Sequence, residues 1–335
     1  MKLPTISNNS GISLEMAVWL LQDDYDFRKE ENYFSATGLM KPIRHILLPV
    51  RISEAQKVIP DVEDFIATAM GQALHAGIEK AWLNNQHRAV ALQQLGYPED
   101  VIARVRVNPM PGDLTTNPQI IPVYVEQRAI KEIVVNGVTF KVGGKFDMVC
   151  EGRVTDTKST SVYSWVFGSK DEDYTLQGSI YRWLNQDKIT EDFTRINFIF
   201  TDWNKFDAAN RKDYPAKRVM HKDIPLMSLS ETENWIRAKI AQIQQNWSVP
   251  ENQLPECTKE ELWMSDPKHK YYSDPSKANG GAGRSTKNFD DLQEANTFMR
   301  EKGKGTIITI PGQPKRCAYC AAFPICTQKN QYIHE

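Results

Sequence analysis

The sequence predicts an α/β fold in which helices flank a mixed central sheet. Three observations indicate this fold class. Residues 60–95 have a helical apolar pattern, residues 120–158 form a run of alternating β-branched segments, and residues 171–187 read as a helix that precedes the apolar segment RINFIFTDW. Helices placed before, between and after strands are typical of a layered α/β core. The chain has 335 residues, which is enough for one large domain or two smaller ones.

Two helical regions precede the strand run. Residues 13–30 carry the apolar group Trp19, Leu20 and Leu21 and predict the first helix. In residues 60–95, apolar side chains recur at a spacing of four, which predicts a buried helical stripe. Its members are Ile66, Met70, Leu74, Ile78 and Trp82.

The strand run contains the segments IIPVYVEQRAI, EIVVNGVTFKV, GKFDMVCE and RVTDTKS. Within it, the dipeptide Asn136-Gly137 predicts a tight hairpin turn. After RINFIFTDW, a further helix is predicted over 229–247. These elements complete the predicted core.

The regular pattern of predicted helices and strands ends at about residue 250. SDPSKANGGAGRST predicts a flexible loop, followed by a short helix over 289–301 and a strand over 305–310. We therefore expect three parts. Residues 1–59 form an N-terminal helical or loop extension packed on the core, residues 60–250 form the core, and residues 251–335 form a C-terminal segment.

Composition excludes some classes of protein. The net charge of −1 gives no global basic field, so only a local basic groove could serve nucleic acid. No stretch approaches the roughly 20 apolar residues of a membrane span, and MKLPTISNNSG lacks the apolar core of a signal peptide. Five cysteines without an export signal favour thiols or metal ligands over disulfides. We expect a cytoplasmic protein with no membrane partner.

The hairpin KFDMVCEGRVTDTKST carries charged residues among apolar ones. Asp156 and Lys158 are two apart on a strand and therefore project to one side, and Asp147 on the preceding strand could lie opposite them. Two aspartates repel each other unless a cation lies between them. Phosphodiester hydrolysis by a hard divalent metal needs such oxygen ligands, and Lys158 could orient or help deprotonate the attacking water. A solvated Asp–Lys pair is the structural alternative.

Two further features are weak when taken alone. His75 interrupts an apolar helical stripe shortly after Gly71, and a lone histidine in such a place is more often structural than a ligand. Gln177 and Tyr181 are four residues apart and share one helix face. Their value lies in their order relative to the hairpin.

The ordered set resembles the PD-(D/E)XK nuclease superfamily, in the branch that contains the RecB and AddB nuclease domains and the CRISPR-associated Cas4 exonucleases. The matching motifs are Gly71–His75, Gly144–Asp147, Asp156-Thr157-Lys158 and Gln177–Tyr181. The resemblance covers about residues 60–205, and the N-terminal FSATGLMKPIRHILLPVR also looks like phage-encoded members. Phe146 stands where the motif's name has a proline.

The resemblance implies a restriction-endonuclease-like core and assigns a role to each matching residue. His75, Asp147 and Asp156 would bind Mg²⁺ or Mn²⁺, together with the backbone carbonyl of Thr157. Lys158 would be the catalytic lysine. The groove residues Gln177 and Tyr181 would hold the DNA strand near the scissile phosphate.

The C-terminal segment contains the pattern C-x2-C-x5-C, formed by Cys317, Cys320 and Cys326. Such close spacing favours one metal centre, with Cys257 as the natural fourth ligand. Cys150 reads instead as a buried apolar thiol. The resemblance favours a [4Fe-4S] cluster, since Cas4 and AddB-type nucleases end with the same spacing. In those proteins, however, the remaining cysteine precedes the nuclease core, whereas no cysteine precedes Cys150 in this sequence. A Zn²⁺ site and unliganded thiols therefore remain alternatives to the cluster.

The leading functional hypothesis is a metal-dependent DNA exonuclease in phage-type recombination, replication or host-DNA degradation, which would act in the host cytoplasm if the chain is phage-encoded. Two alternatives are a structure-selective endonuclease and a catalytically inactive nucleic-acid-binding module. The resemblance suggests an annealing protein, a single-strand-binding protein or a helicase as a protein partner. The intact Asp147, Asp156 and Lys158 argue against an inactive module, since a dead site has no physical need for clustered like charges.

Overall fold

The computed structural model describes residues 6–23, 28, 30–167 and 170–333. The chain divides into two compact units. The first unit comprises Met1–Met40 with Ile59–Ala241, and the second comprises Lys41–Val58 with Gln242–Glu335. Within the described ranges, no helix is both long and apolar enough to cross a membrane.

The strands, in chain order, are β1 (Tyr33–Ser35), β2 (Val105–Val107), β3 (Ile121–Val135), β4 (Val138–Cys150), β5 (Arg153–Thr160), β6 (Phe193–Phe200), β7 (Val219–Pro225), β8 (Lys268–Tyr272), β9 (Lys287–Phe289) and β10 (Thr306–Ile310).

The α-helices are α1 (Leu14–Leu20), α2 (Ala36–Leu39), α3 (Ile43–Leu47), α4 (Ile66–Leu83), α5 (Asn85–Gln94), α6 (Glu99–Arg104), α7 (Pro111–Thr116), α8 (Tyr163–Phe167), α9 (Asp171–Leu184), α10 (Lys205–Asn210), α11 (Leu229–Asn246) and α12 (Leu292–Lys302). Short 3₁₀ turns connect several of them.

A seven-stranded sheet forms the centre of the first unit. Its order is β2-β3-β4-β5-β6-β7, and β1 pairs with β4 in addition. The pairs β1–β4, β2–β3 and β5–β6 are parallel, whereas β3–β4, β4–β5 and β6–β7 are antiparallel. The prediction of an α/β fold with a mixed central sheet flanked by helices is therefore confirmed.

The long β3–β4 hairpin follows from its turn. Asn136 and Gly137 both have positive φ, at 50° and 77°, as a two-residue type I′ turn requires. Val142 and Phe146 on β4 are fully buried, which fixes the register because a one-residue slip would move both to the other face. The turn and the buried side chains thus specify one alignment of β3 with β4.

The predicted buried stripe on α4 is wrong at its first two members. Ile66 and Met70 are 38% and 51% exposed, and only Ala69 of this helix is fully buried. The reason is geometrical. Each step of four residues turns about 40° around a helix with 3.6 residues per turn, so five such residues span about 160° and cannot share one contact face.

The predicted helical region 60–95 is two helices rather than one. Asn84 has extended backbone angles between α4 and α5, and its side-chain Oδ1 accepts a hydrogen bond from the backbone N–H of His87 at 3.0 Å. Asparagine competes in this way with helical backbone bonding and then caps the helix that follows. One polar residue therefore ends one helix and begins the next.

The second unit contains a small antiparallel sheet in the order β10-β8-β9. Tyr271, Phe289 and Ala295 form its buried cluster, to which α12 contributes the alanine. The helix over 289–301 and the strand over 305–310 were predicted, and they are observed as α12 and β10. The strand β8 was not predicted, because its sequence KHKYY begins with three basic residues and lacks an apolar alternation.

Candidate functional site

Three carboxylates lie in a row across three neighbouring strands. The β3–β4 register places Glu126 opposite Asp147. On the other side of β4, Met148 pairs with Thr155, so the next positions outward are Asp147 and Asp156. Directly opposed residues in an antiparallel pair present their side chains on the same face. The sheet therefore gathers three like charges at one place.

The backbone at Glu126 is strained. Its φ of 53° lies in the left-handed region, which residues other than glycine rarely adopt inside a strand. Asn108, itself at φ 49°, holds the strand on both sides of it. The Asn108 amide accepts from the backbone N–H of Val125 at 2.8 Å and from the Gln127 side chain at 3.1 Å, and it donates to the Val125 carbonyl at 3.2 Å. Strain that is held this firmly is typical of functional sites.

His75 from α4 completes a metal-ligand set with two members of the row. Its Nδ1 atom lies 3.2 Å from Oδ2 of Asp147. One ligand atom each from His75, Glu126 and Asp147 lie within 4.8 Å of one another, and this is the one such group of three or more among the described residues. An imidazole with two carboxylates is a donor set that suits Mn²⁺ and is compatible with Mg²⁺.

Two lysines balance the remaining charges of the row. The Nζ of Lys158 lies 2.7 Å from Oδ2 of Asp156 and 3.0 Å from its Oδ1. The Nζ of Lys145 lies 2.5 Å from Oε2 of Glu126. Each carboxylate in the row therefore has one basic neighbour, and both lysine side chains remain about one-third exposed.

The row keeps Asp147 in an unusual state. Burial is the main cause that raises its pKa to about 9, and the neighbouring charge and hydrogen bond of Asp156 add to the increase. Lys158 opposes the shift and Glu126 reinforces it. Without a bound cation, the Asp147 carboxyl therefore carries a proton at neutral pH.

Two carboxylate oxygens in the row lack aligned hydrogen bonds. Oδ2 of Asp147 and Oδ2 of Asp156 are buried and accept no hydrogen bond of acceptable geometry from the described residues, although His75 and Lys158 lie beside them. A buried acceptor without a partner costs about 1–3 kcal/mol. A divalent cation held by His75, Glu126 and Asp147 would bind the Asp147 carboxylate, whereas Asp156 lies outside this group and beside Lys158. The residues of the group fit the metal that the sequence pattern implies.

The other predicted site residues lie on the neighbouring elements. Thr157 stands between Asp156 and Lys158 on β5. On α9, the Gln177 side chain donates to the Tyr181 hydroxyl at 3.2 Å, and the Tyr181 ring is largely buried. A Cβ added at Gly144, three residues before Asp147, would come within 2.8 Å of that ring. The ring thus packs against the strand that carries the central carboxylate.

Glu126 was not among the predicted site residues, although the register of the β3–β4 hairpin indicates its position. The two-residue turn at Asn136-Gly137 fixes the β3–β4 register, and counting outward from Val135 paired with Val138 brings Glu126 opposite Asp147. Lys145 was missed for the same reason, since it lies one position beyond that pair on the same face. The register of the hairpin, read from its turn, would have identified both.

The second unit contains a pocket lined by all four candidate ligand cysteines. These are Cys257, Cys317, Cys320 and Cys326. Burial is the main cause that raises the pKa of Cys257 to about 12, and it also raises the pKa of Cys317 and of Cys320. These thiols are therefore protonated at neutral pH unless a metal displaces the proton.

Cys257 is held in the pocket through its backbone. The Gln328 side chain accepts a hydrogen bond from the Cys257 N–H and donates one to its carbonyl, both at 2.9 Å. Gln328 is buried and follows Cys326 by two residues. The side chain acts like a strand partner and joins the loop of Cys257 to the C-terminal cysteines.

Arg44 and His45 from α3 also line this pocket. An Arg44 N–H group points at Sγ of Cys326 over 3.5 Å, and Nε2 of His45 lies 3.2 Å from Sγ of Cys320. Cys150, by contrast, is half-buried on β4 among apolar neighbours, and burial raises its pKa. Cys150 belongs to the central sheet of the first unit, whereas the four clustered cysteines belong to the second unit.

Comparisons with known proteins add little to this geometry. The sequence matches no protein-family model and no curated protein. The crystal structure of SSO0001 is 17% identical, with a TM-score of 0.38, over 69% of this chain and 85% of that chain. A phage-related exonuclease from Haemophilus somnus 129PT is 14% identical, with a TM-score of 0.23, over 49% of this chain and 70% of that chain. At these TM-scores neither likeness carries an argument.

Proposed function

We propose that this chain is a divalent-metal-dependent deoxyribonuclease, and more narrowly an exonuclease of the PD-(D/E)XK type. One observation carries the proposal. The carboxylates of Glu126, Asp147 and Asp156 meet in a row, with His75 and Lys158 beside them. A structural role would not need three clustered carboxylates, one of which burial and its neighbours keep protonated in the absence of a cation.

His75, Glu126 and Asp147 would hold the divalent cation, and Asp156 would join them when its carboxylate turns from Lys158. The backbone carbonyl of Thr157 is the fifth candidate ligand. Such a cation supplies positive charge to a phosphodiester and lowers the pKa of a water molecule at neutral pH. We propose Mg²⁺ or Mn²⁺, because the donors are mainly carboxylate oxygens.

Lys158 would act directly on the reacting groups. Its ammonium group is anchored by Asp156 yet about one-third exposed, so it can reach a phosphate or a water molecule. There it would stabilise the negative charge that develops on the phosphate and orient the attacking water. Gln177 and Tyr181 would position the strand, and the packing of Tyr181 against Gly144 keeps that pair in a fixed relation to β4.

We also propose that Cys257, Cys317, Cys320 and Cys326 hold one structural centre. A tetrahedral zinc site with Zn–S distances of about 2.3 Å places its sulfur atoms about 3.8 Å apart. All of these cysteines are among the described residues, and no three of their sulfur atoms lie within 4.8 Å of one another. We propose a [4Fe-4S] cluster at this centre, with Zn²⁺ as the alternative.

The broader assignments remain part of the proposal. The nuclease core would comprise residues 60–250, preceded by the extension 1–59 and followed by the cysteine-bound segment 251–335. The substrate would be DNA, in phage-type recombination, replication or host-DNA degradation in a host cytoplasm. An annealing protein, a single-strand-binding protein or a helicase would be the partner.

Digestion of end-labelled linear DNA and closed circular DNA tests this function. We expect the protein to degrade linear DNA with Mg²⁺ or Mn²⁺, to leave circles intact and to be inactive in EDTA. Cutting of circles would replace the exonuclease with a structure-selective endonuclease. Binding of DNA without cleavage in any metal would indicate the inactive binding module and refute the enzyme.

A further inference from the structure

Two adjacent residues in α3 place side-chain nitrogen atoms beside two of the four clustered sulfurs. Arg44 Nη1 lies 3.5 Å from Sγ of Cys326, and His45 Nε2 lies 3.2 Å from Sγ of Cys320. Both residues belong to the second unit, as do the cysteines. A protonated thiol is a weak acceptor of N–H hydrogen bonds. A thiolate is a strong acceptor because its sulfur is charged.

Arg44 uses its whole guanidinium group inside the protein. Its side chain is only 3% exposed. Four of its N–H groups bond oxygen atoms, namely the Glu251 carboxylate and the carbonyls of Glu251, Leu254 and Pro255. The fifth N–H is left for Cys326. A buried N–H without a good acceptor is costly, so this arrangement is best satisfied when the sulfur is a thiolate.

The oxygen partners of Arg44 connect it to both ends of the cysteine set. The carbonyls of Leu254 and Pro255 lie in the loop that leads into Cys257. The Glu251 carboxylate also accepts from the backbone N–H of Thr327, the residue after Cys326, at 2.9 Å. One buried cation therefore positions two separate segments that carry ligands.

His45 places a second side-chain nitrogen from the same helix beside a clustered sulfur. Its contact with Cys320 complements the backbone N–H groups of Ala322 and Phe323, which also bond the sulfur of Cys320. Backbone donors of this kind would stabilise negative charge on that sulfur when it binds a metal. The imidazole Nε2–H would face the same sulfur from the opposite segment of the chain.

We propose that Arg44 and His45 are positioning residues that donate N–H···S hydrogen bonds to Cys326 and Cys320 when these cysteines hold the metal centre, and that they retard loss of the metal. This inference rests on the proposed four-cysteine centre. Groups that bond metal ligands in this way typically change metal affinity by about 10–100-fold. For an iron–sulfur centre, they also make the reduction potential less negative, because hydrogen bonds to the sulfurs stabilise added negative charge.

The test uses the full-length protein purified anaerobically. Arg44→Met removes all five N–H groups, and His45→Leu removes the imidazole donor, whereas His45→Gln keeps an N–H that can reach the sulfur. Arg51→Met is the matched control. Arg51 donates to the backbone carbonyls of Asn246, Trp247 and Val249 in the same unit. Among the described residues, Arg51 forms no hydrogen bond to a cysteine. Any metal loss in Arg51→Met therefore measures the effect of structural damage alone.

Three readouts separate a specific effect from a general one. They are iron, sulfide and zinc per chain, the rate of metal release to a chelator, and the midpoint potential followed by visible absorption. We expect Arg44→Met and His45→Leu to release metal at least about tenfold faster than wild type. We expect His45→Gln and Arg51→Met to stay close to wild type, and an iron–sulfur centre in Arg44→Met to have a more negative potential.

Several results would overturn the inference. Release by Arg44→Met and His45→Leu at the wild-type rate would show that the N–H···S contacts have no effect on the metal. Equal acceleration by Arg51→Met would assign the effect to lost structure. A wild-type protein without iron or zinc would refute the cysteine centre and this inference together, while cleavage of DNA would still report on the nuclease proposal separately.

Discussion

Asp147 is the residue at which burial, charge and chemistry conflict most strongly. It lies between two other carboxylates, and its pKa of about 9 means that the metal-free protein holds a proton there at neutral pH. The unfolded chain would release that proton near pH 4. The native state therefore binds more protons between about pH 4 and pH 9, so this group makes the metal-free protein less stable as the pH rises through that window.

The same proton predicts how metal binding depends on pH. A cation that binds the Asp147 carboxylate must displace the proton. Metal affinity should therefore rise by up to about tenfold for each unit by which the pH is raised, until the pH reaches about 9. Calorimetric titration of Mn²⁺ at pH 7 in two buffers of different ionisation enthalpy counts the protons released. We expect about one proton per metal in the wild type and no detectable binding in Asp147→Asn. A wild-type titration without proton release would contradict the protonated state of Asp147.

Removal of Asp156 or Lys158 should separate catalysis from folding. We expect Asp156→Ala and Lys158→Ala to lower the cleavage rate by at least about 10²-fold, since both groups act on the charge of the reacting phosphate. Metal-free Asp156→Ala should unfold at close to the wild-type temperature, because the variant loses the ion pair with Lys158 but also the buried carboxylate that raises the pKa of Asp147.

The control for these variants is Asp223→Ala. Asp223 belongs to the same sheet and forms an ion pair with Arg195 at 2.6 Å, outside the row. It should retain wild-type cleavage. Wild-type rates in Asp156→Ala or Lys158→Ala would remove that residue from the chemistry, whereas equal losses in Asp223→Ala would indicate a general loss of structure.

At the scale of single residues, the sequence predicted the partners that lie close together along the chain. The two-residue period of a strand places Asp156 and Lys158 on one side, and the Lys158–Asp156 contact agrees with that placement. Glu126 was beyond that reasoning because it is 21 positions from Asp147 in the chain and meets it only through the hairpin register. Its positive φ also departs from strand propensity, which favours no such angle.

At the scale of elements, β2 and β3 cooperate to shape the site. Asn108 follows the short strand β2 and grips Val125 and Gln127 on either side of the strained Glu126. Glutamate gains no local benefit from φ 53°, so the clamp must hold it there. We infer that β2 stabilises the backbone conformation of Glu126, because it places Asn108 beside β3.

Asn108→Ala tests the clamp. The change removes three side-chain hydrogen bonds and should cost about 1 kcal/mol of unfolding free energy for each. Because Glu126 would then relax to an ordinary strand conformation, we also expect weaker Mn²⁺ binding, measured by calorimetry. Asn204→Ala, which removes the side-chain cap of α10, should destabilise the protein without changing Mn²⁺ affinity. Unchanged metal affinity in Asn108→Ala would show that Glu126 needs no clamp.

A regular apolar pattern explains why the sequence predicted the longest elements. The long β3–β4 hairpin and α9 have regular patterns because one face of each is buried. The strand β7 was not predicted, because it is an edge strand whose three consecutive polar residues His221, Lys222 and Asp223 interrupt any apolar alternation. Exposure removes the apolar contrast on which such predictions depend.

At the scale of the whole molecule, the chain contains two compact units that are supported by different means. The first unit has the large mixed sheet, with a core of fully buried residues such as Phe146 and Phe200. The second has a three-stranded sheet and a loop-rich region around the four clustered cysteines. Small, loop-rich segments commonly need a metal centre to supply the stability that a small core cannot.

Loss of a clustered cysteine should therefore affect the second unit first. In Cys326→Ala, we expect limited proteolysis to cut within residues 251–335 while residues 60–241 remain protected, and we expect cleavage of DNA to fall only as an indirect consequence. Cys150→Ala is the control, since Cys150 lies on β4 and outside the cluster. Intact residues 251–335 in Cys326→Ala would contradict a structural centre.

The most direct test of the account is the location of Mn²⁺ by anomalous X-ray scattering from crystals of the wild-type protein. The account predicts a strong peak bounded by His75, Glu126 and Asp147, and no peak in Asp147→Asn crystals grown with the same Mn²⁺ concentration. A wild-type peak elsewhere, or no peak under conditions in which the protein cleaves DNA, would show that the row of carboxylates is not the metal site.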